Sequence, residues 1–136
     1  MTDTSRTLVL KAPPGDVNTV HSFIQELWDA EPAIGDMDKM AFETALIELA
    51  SNVIEHTGVG NGVSCVISIK ATPTTLSAQL SDTAEVGDIQ IVGRGMPDED
   101  AESGRGIALV QMLVDELGYN RVGESNVWSF TRTRVE

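Results

Sequence analysis

Glu48 and Asn52 are the residues whose type and spacing could do chemistry. They lie in Phe42-Glu-Thr-Ala-Leu-Ile-Glu48-Leu-Ala-Ser-Asn52-Val-Ile-Glu-His56. Read at about 100° per residue, the pair sits one turn apart on one helix face, and Thr44, Ser51 and Glu55 share its narrow polar stripe. Apolar residues fill most of the remaining circumference, so the helix is expected to be buried, with its stripe toward a cleft, a ligand or a partner. Further along, Gly104-Arg105-Gly106 opens another helical pattern. Bare backbone N–H groups and the positive end of a helix dipole suit a phosphate there. Asn52 offers a side-chain oxygen for Mg2+, a hard cation that binds phosphates and takes few protein ligands. Glu48 is spaced to accept a proton from a hydroxyl or water attacking a γ-phosphate. Asp82, at the end of a strand-like run, can accept a hydrogen bond from an exocyclic amine such as adenine N6.

Taken singly, each piece has a plainer reading. Glu-x-x-x-Asn is also an ordinary solvated stripe, Gly-x-Gly an ordinary turn into a helix, and Asp82 a turn residue. His56 suits a helix C-terminus, where it meets the negative end of the dipole. What joins them is order: Glu-x-x-x-Asn on a helix, two strands, Asp, a long loop, then Gly-x-Gly into a helix.

The elements that must position these residues follow from periodicity and punctuation. Thr7–Lys11 is a short strand ended by Pro13-Pro14-Gly15. Asp16 caps a helix running to about Ala30, with Val17, Val20, Ile24, Leu27 and Trp28 at helical spacing, and Glu31-Pro32 closes it. A second helix begins near Asp36 or Asp38, holds the Glu48–Asn52 stretch and ends before Gly58. After a turn at Gly58–Gly62, strands at Val63–Lys70 and Thr75–Ser81 are joined around Pro73. In the second strand Leu76, Ala78 and Leu80 alternate with Thr75, Ser77 and Gln79, which predicts one buried face. Thr83 to Ser103 reads as a long loop, with Ile89–Val92 as a short strand or anchor within it. A third helix follows, striped by Ile107, Val110, Val114 and Leu117 and stopped at Gly118. Strands at Tyr119–Val122 and Val127–Arg134 close the chain around a turn at Gly123–Asn126. Strands grouped this way predict a single α+β domain over residues 1–136: a two-layer sandwich whose mixed, mostly antiparallel sheet carries its helices on one face.

Composition sets limits on function. With 136 residues and 41% hydrophobic content the chain can bury a core. It carries 21 acidic against 9 basic residues, a formal charge of −12. That balance opposes direct nucleic-acid binding, which needs a basic face, and fits a basic protein partner or simple solubility. Cys65 is the lone cysteine; it excludes an intrachain disulfide and reads as a buried thiol. With two distant histidines, no zinc site can be assembled from soft ligands. No apolar run reaches the length of a membrane span, and the first residues lack a signal-peptide pattern. A cytoplasmic protein without membrane contact is the expectation.

The ordered motifs resemble the small bacterial anti-sigma factors that are also serine-protein kinases, within the histidine-kinase/gyrase/Hsp90-like (GHKL) ATPase superfamily. The likeness runs from Leu8 to Arg134. Glu48-Leu-Ala-Ser-Asn52-Val-Ile-Glu-His56 is similar to that family's N-box, and Gly104-Arg-Gly106-Ile-Ala-Leu109 to its second glycine box. The resemblance implies the Bergerat fold, with Mg·ATP held beneath a lid spanning residues 83–103. It implies Glu48 as catalytic base, Asn52 as Mg2+ ligand and Asp82 as adenine reader, with Ala84, Gly104, Arg105 and Gly106 as further nucleotide contacts. It also implies partners: a sigma factor, a STAS-type antagonist protein phosphorylated on Ser or Thr, and a second copy in a homodimer. The chain departs from the pattern at the first glycine box, Asp-x-Gly-x-Gly, which here reads Asp82-Thr-Ala84-Glu-Val86. Ala84 and Val86 add Cβ atoms where adenine should lie, and four acidic residues stand between Asp98 and Glu102. An active kinase and a degenerate member that only binds its partner therefore both follow from the motifs. A detached sensor-kinase catalytic domain is a third reading, without a phosphoacceptor helix around His21.

Overall fold

The computed structural model describes residues 3–12, 16–57, 63–82, 102–123 and 125–135. Among them the chain forms β1 (Thr4–Ala12), α1 (Val17–Ala30), α2 (Asp36–Thr57), β2 (Val63–Ala71), β3 (Thr75–Asp82), α3 (Glu102–Leu113), β4 (Glu116–Val122) and β5 (Ser125–Thr133). The strands make one sheet in the order β1-β2-β3-β5-β4. Every pairing is antiparallel, so the described sheet is antiparallel throughout, and the architecture is the α+β sandwich that the grouped strands predict. The expected short strand at Ile89–Val92 and the lid positions 83–101, Ala84 and Val86 included, lie outside the described residues.

Local chemistry accounts for most boundaries. Asp16 accepts from the backbone N–H of Asn18 at 3.0 Å and Thr19 at 3.4 Å, and Thr19 Oγ1 accepts from Asp16 N–H. This reciprocal capping box fixes where α1 starts. Asp36 and Asp38 place negative charge in the first turn of α2, against the positive end of its dipole. Thr72 draws the β2–β3 turn together, its Oγ1 accepting from the N–H groups of Thr74 and Thr75.

One core lies between the layers. Leu10, Cys65, Ile67, Ile69, Leu76, Ala78, Leu80, Trp128 and Phe130 from the sheet meet Val20, Ile24, Leu27, Phe42, Leu46, Leu49, Val53, Ile107 and Val110 from the helices. Alternate residues on the other sheet face, such as Ser68, Lys70, Gln79 and Ser129, are exposed.

The end of α3 corrects the expectation from periodicity. The helix stops at Leu113, and Leu117 and Gly118 belong to β4 rather than to a helical stripe and its stop signal. Val114 N–H still bonds Val110 O, but Asp115 N–H turns to Thr131 O in β5. Leu117 lies opposite Phe130, and Gly118 opposite Ser129, where a Cβ would stand 3.3 Å from the serine hydroxyl. Pairing with β5 outweighs the helical spacing of Val114 and Leu117. For the same reason Asn126 is in β5, opposite Arg121 and Asp82, and not in a turn.

A buried ion pair holds the two site helices to the last strand. Arg132 Nε meets Asp38 Oδ1 at 3.1 Å, and Asp38 also accepts from the N–H of Val135. Arg132 Nη1 donates to Leu113 O at 2.7 Å, satisfying a carbonyl in the last turn of α3. The start of α2 and the end of α3 are thus tied to one guanidinium.

Candidate functional site

Three elements carry the candidate residues: α2 with Glu48 and Asn52, β3 with Asp82, and the first turns of α3 with Gly104, Arg105 and Gly106. α2 packs against both β3 and α3, so the three carriers meet on the helix-covered face of the sheet.

Asn52 is 5% exposed, and its Oδ1 is buried with no hydrogen-bond partner among the described residues. An orphaned buried amide oxygen costs about 1–3 kcal/mol. A carbonyl-type oxygen is a donor that a hard divalent cation prefers. Asn52 therefore fits a Mg2+ ligand. No group of three His, Cys, Asp or Glu side chains gathers into a metal cage among the described residues, so a cation at Asn52 would take its remaining oxygens from phosphate and water.

Glu48, one turn earlier, is partly buried and stands at one end of a groove between α1 and α2. The polar stripe is therefore divided: Asn52 is enclosed, while Thr44 and Glu48 remain accessible.

Asp82 is 1% exposed at the end of β3 and belongs to a buried polar chain that sequence reasoning did not include. Asn126, fully buried on β5, donates its Nδ2–H to Asp82 Oδ1 at 3.0 Å. Tyr119 on β4 donates its hydroxyl to Asn126 Oδ1. Burial, with the Asp82 charge adding to it, raises the Tyr119 pKa above the ordinary phenol value, while Arg121 pulls the other way. The phenol thus stays a donor, which turns the Asn126 amide so that its NH2 faces Asp82. Cys65 is the cross-strand neighbour of Asp82 on β2. Burial first, then the Asp82 charge, pushes its thiol up to about 12, so it is a packed apolar group and not a nucleophile. The signal for Asn126 was present in the chain: it shares the inward parity of Trp128 and Phe130, where a polar residue needs a partner.

Gly104, Arg105 and Gly106 lie within α3, which starts at Glu102. Within that helix the N–H groups of residues 102–104 precede the first i→i−4 bond and have no intrahelical acceptor. The side chains of Arg105, Glu55 and His56 are outside the described residues, as is Ala84.

The chain has counterparts among known proteins. Residues 10–132 match the family described as "Histidine kinase-like ATPase domain". No curated protein matches the chain. Among solved structures, that of the RsbU and RsbW domains of Rv1364c from Mycobacterium tuberculosis is similar, with a TM-score of 0.66 at 19% identity. The likeness covers 96% of this chain and 32% of that one. At that identity it shows the fold, and this chain spans about a third of the longer protein.

Proposed function

We propose, because the chain belongs to the histidine kinase-like ATPase family, that it is an ATP-binding anti-sigma factor that phosphorylates a STAS-type antagonist protein on serine or threonine. The observation that carries this reading is the buried Oδ1 of Asn52, without a partner among the described residues and one helical turn from Glu48. Bound Mg·ATP would supply the transferable phosphoryl group. Asn52 would hold the cation, and the free N–H groups at the start of α3 would bind phosphate oxygens. Asp82 would accept from the adenine amine while Asn126 holds its other contact. Glu48, reachable from outside, would take the proton of the incoming hydroxyl. Similarity to a structure that contains an RsbW domain supports a partner-switching role, with a sigma factor as the protein released or held. No helix among the described residues is long and apolar enough to cross a membrane, and we place the protein in the cytoplasm, with self-association into a homodimer as part of the same reading.

A second reading has its own observation. Ala84 and Val86 stand where the first glycine box of the resembled family, Asp-x-Gly-x-Gly, has its glycines, which favours a chain that binds its partner without nucleotide chemistry. Calorimetric titration with Mg·ATP, paired with radiolabel transfer to the antagonist, separates the two. Binding with transfer supports the kinase; no heat at millimolar ATP leaves the binding module.

A further inference from the structure

The groove between α1 and α2 shares Glu48, at one end, with the nucleotide reading, which leaves the rest of it unused. Its volume is about 480 Å³, and its walls run along α2 from Asp36 to Glu48, about 18 Å at the rise of an α-helix. The floor is preorganised. Trp28 of α1 is held by its Nε1–H to Glu43 Oε1 at 2.9 Å and by an edge contact with Phe42, with ring centroids 5.8 Å apart. Ile47 and Thr44 continue that floor, and His21 Nδ1 lies 3.1 Å from the other Glu43 oxygen. Along the lip, Met40 is 64% exposed, and Met37, beside it on the same helix, is 57% exposed. Two exposed methionines three residues apart on α2 form an adaptable apolar surface of the kind that binding grooves use. Three carboxylates, Asp36, Glu43 and Glu48, surround the groove against one lysine, Lys39.

We propose that this groove docks an amphipathic, lysine- or arginine-bearing helix of a partner protein. Length and shape fit a helix of three to four turns laid between two helices. Charge selects its polarity, since the groove is acidic and the chain as a whole carries −12. A second copy of this chain is the wrong occupant. α1 contains no Lys or Arg, α2 sets one lysine against five carboxylates, and α3 balances one arginine with one glutamate, so no helix of a second copy offers the net positive charge that the acidic groove selects. The proposal is independent of nucleotide binding; only its corollary, that a docked helix would end beside the catalytic base, rests on the role proposed for Glu48 above.

The test is a nucleotide-free titration of the ¹⁵N-labelled full chain with a synthetic helix of about four turns. That helix carries leucines at i, i+3, i+4 and i+7 and lysines flanking them. Its scrambled isomer has equal charge and no stripe. Docking predicts shift changes at 21–28 and 36–48, binding at least about tenfold tighter than the scrambled isomer, and a similar loss on Met40→Asp. Met112→Asp, at an exposed position on α3, is expected to change nothing. Equal affinity for the scrambled isomer, shifts spread over the acidic surface or the open sheet face, or indifference to Met40→Asp would each overturn the proposal. So would self-association of the free chain that Met40→Asp abolishes, which would assign the groove to a second copy.

Discussion

Asn126 and Asp82 stand forty-four positions apart in sequence and 3.0 Å apart across neighbouring strands, the amide of one bonded to the carboxylate of the other in full burial. The bond depends on β5 pairing with β3 in a register that sets these two residues opposite each other. Asn126→Ala would take a donor away from an enclosed carboxylate, and stability is expected to fall by about 1–3 kcal/mol. Tyr119→Phe removes only the hydroxyl that orients the amide and should cost about 0.5–1.5 kcal/mol. Urea denaturation of both variants measures the two effects; equal stability of Asn126→Ala and the parent would show that the bond contributes nothing.

Asn52 separates function from stability. Its buried Oδ1 has no partner among the described residues, so Asn52→Leu should leave thermal stability unchanged or raise it by up to about 1 kcal/mol. The same change should abolish the Mg2+-dependent part of ATP binding while altering binding in EDTA little. An equal loss with and without Mg2+ would place Asn52 on the nucleotide itself.

Glu48→Ala is expected to lower phosphoryl transfer by roughly 10²-fold or more with ATP binding nearly intact. Radiolabel transfer beside a binding titration reads both quantities. Undiminished transfer would remove Glu48 from the reaction.

The Asp38–Arg132 pair should behave as a buried clamp. Asp38 is 0% exposed, and the Arg132 side chain is 15% exposed. Asp38→Ala is expected to destabilise by about 3–5 kcal/mol, because it strands a mostly buried guanidinium. The double variant with Arg132→Met should cost less than the sum of the single changes, by about 0.5–3 kcal/mol of coupling. Strict additivity in a denaturant cycle would mean that the two side chains do not act as a pair.

Cys65 links the sheet to alkaline pH. Its folded-state pKa is raised to about 12, so the thiol ionises more readily in the unfolded chain, where the ordinary thiol range lies near 8.5. The contribution of the protonated thiol is fully present below that range and is lost as pH rises toward 12. The loss within this window is about 1.4 kcal/mol per pH unit. Cys65→Val should flatten this part of the pH–stability curve, and the native thiol should resist a thiol reagent at pH 8 until the chain is unfolded. Rapid native-state labelling would contradict the burial.

Near-neighbour chemistry was legible in the chain. The Asp16 cap, the 3.6-residue spacing of Val20, Ile24 and Leu27, and the alternation of Leu76, Ala78 and Leu80 each determine local structure from residues within a few positions of one another. The Glu48–Asn52 pair belongs to this class, because a helix fixes the relation between i and i+4 wherever it packs. Leu117 and Gly118 did not, since their spacing fits a helical stripe and a stop as well as a strand. Only the ladder with β5, which seats Leu117 opposite Phe130, decides between the two. The enclosure of Asn52 beside an accessible Glu48, the Asn126–Asp82 bond and the hold of Arg132 on Asp38 and Leu113 are also tertiary. Each depends on burial or strand register created by elements that meet only after folding. Sequence periodicity records which face of an element is apolar; which polar group on the opposite face loses its water is decided by what lands against it.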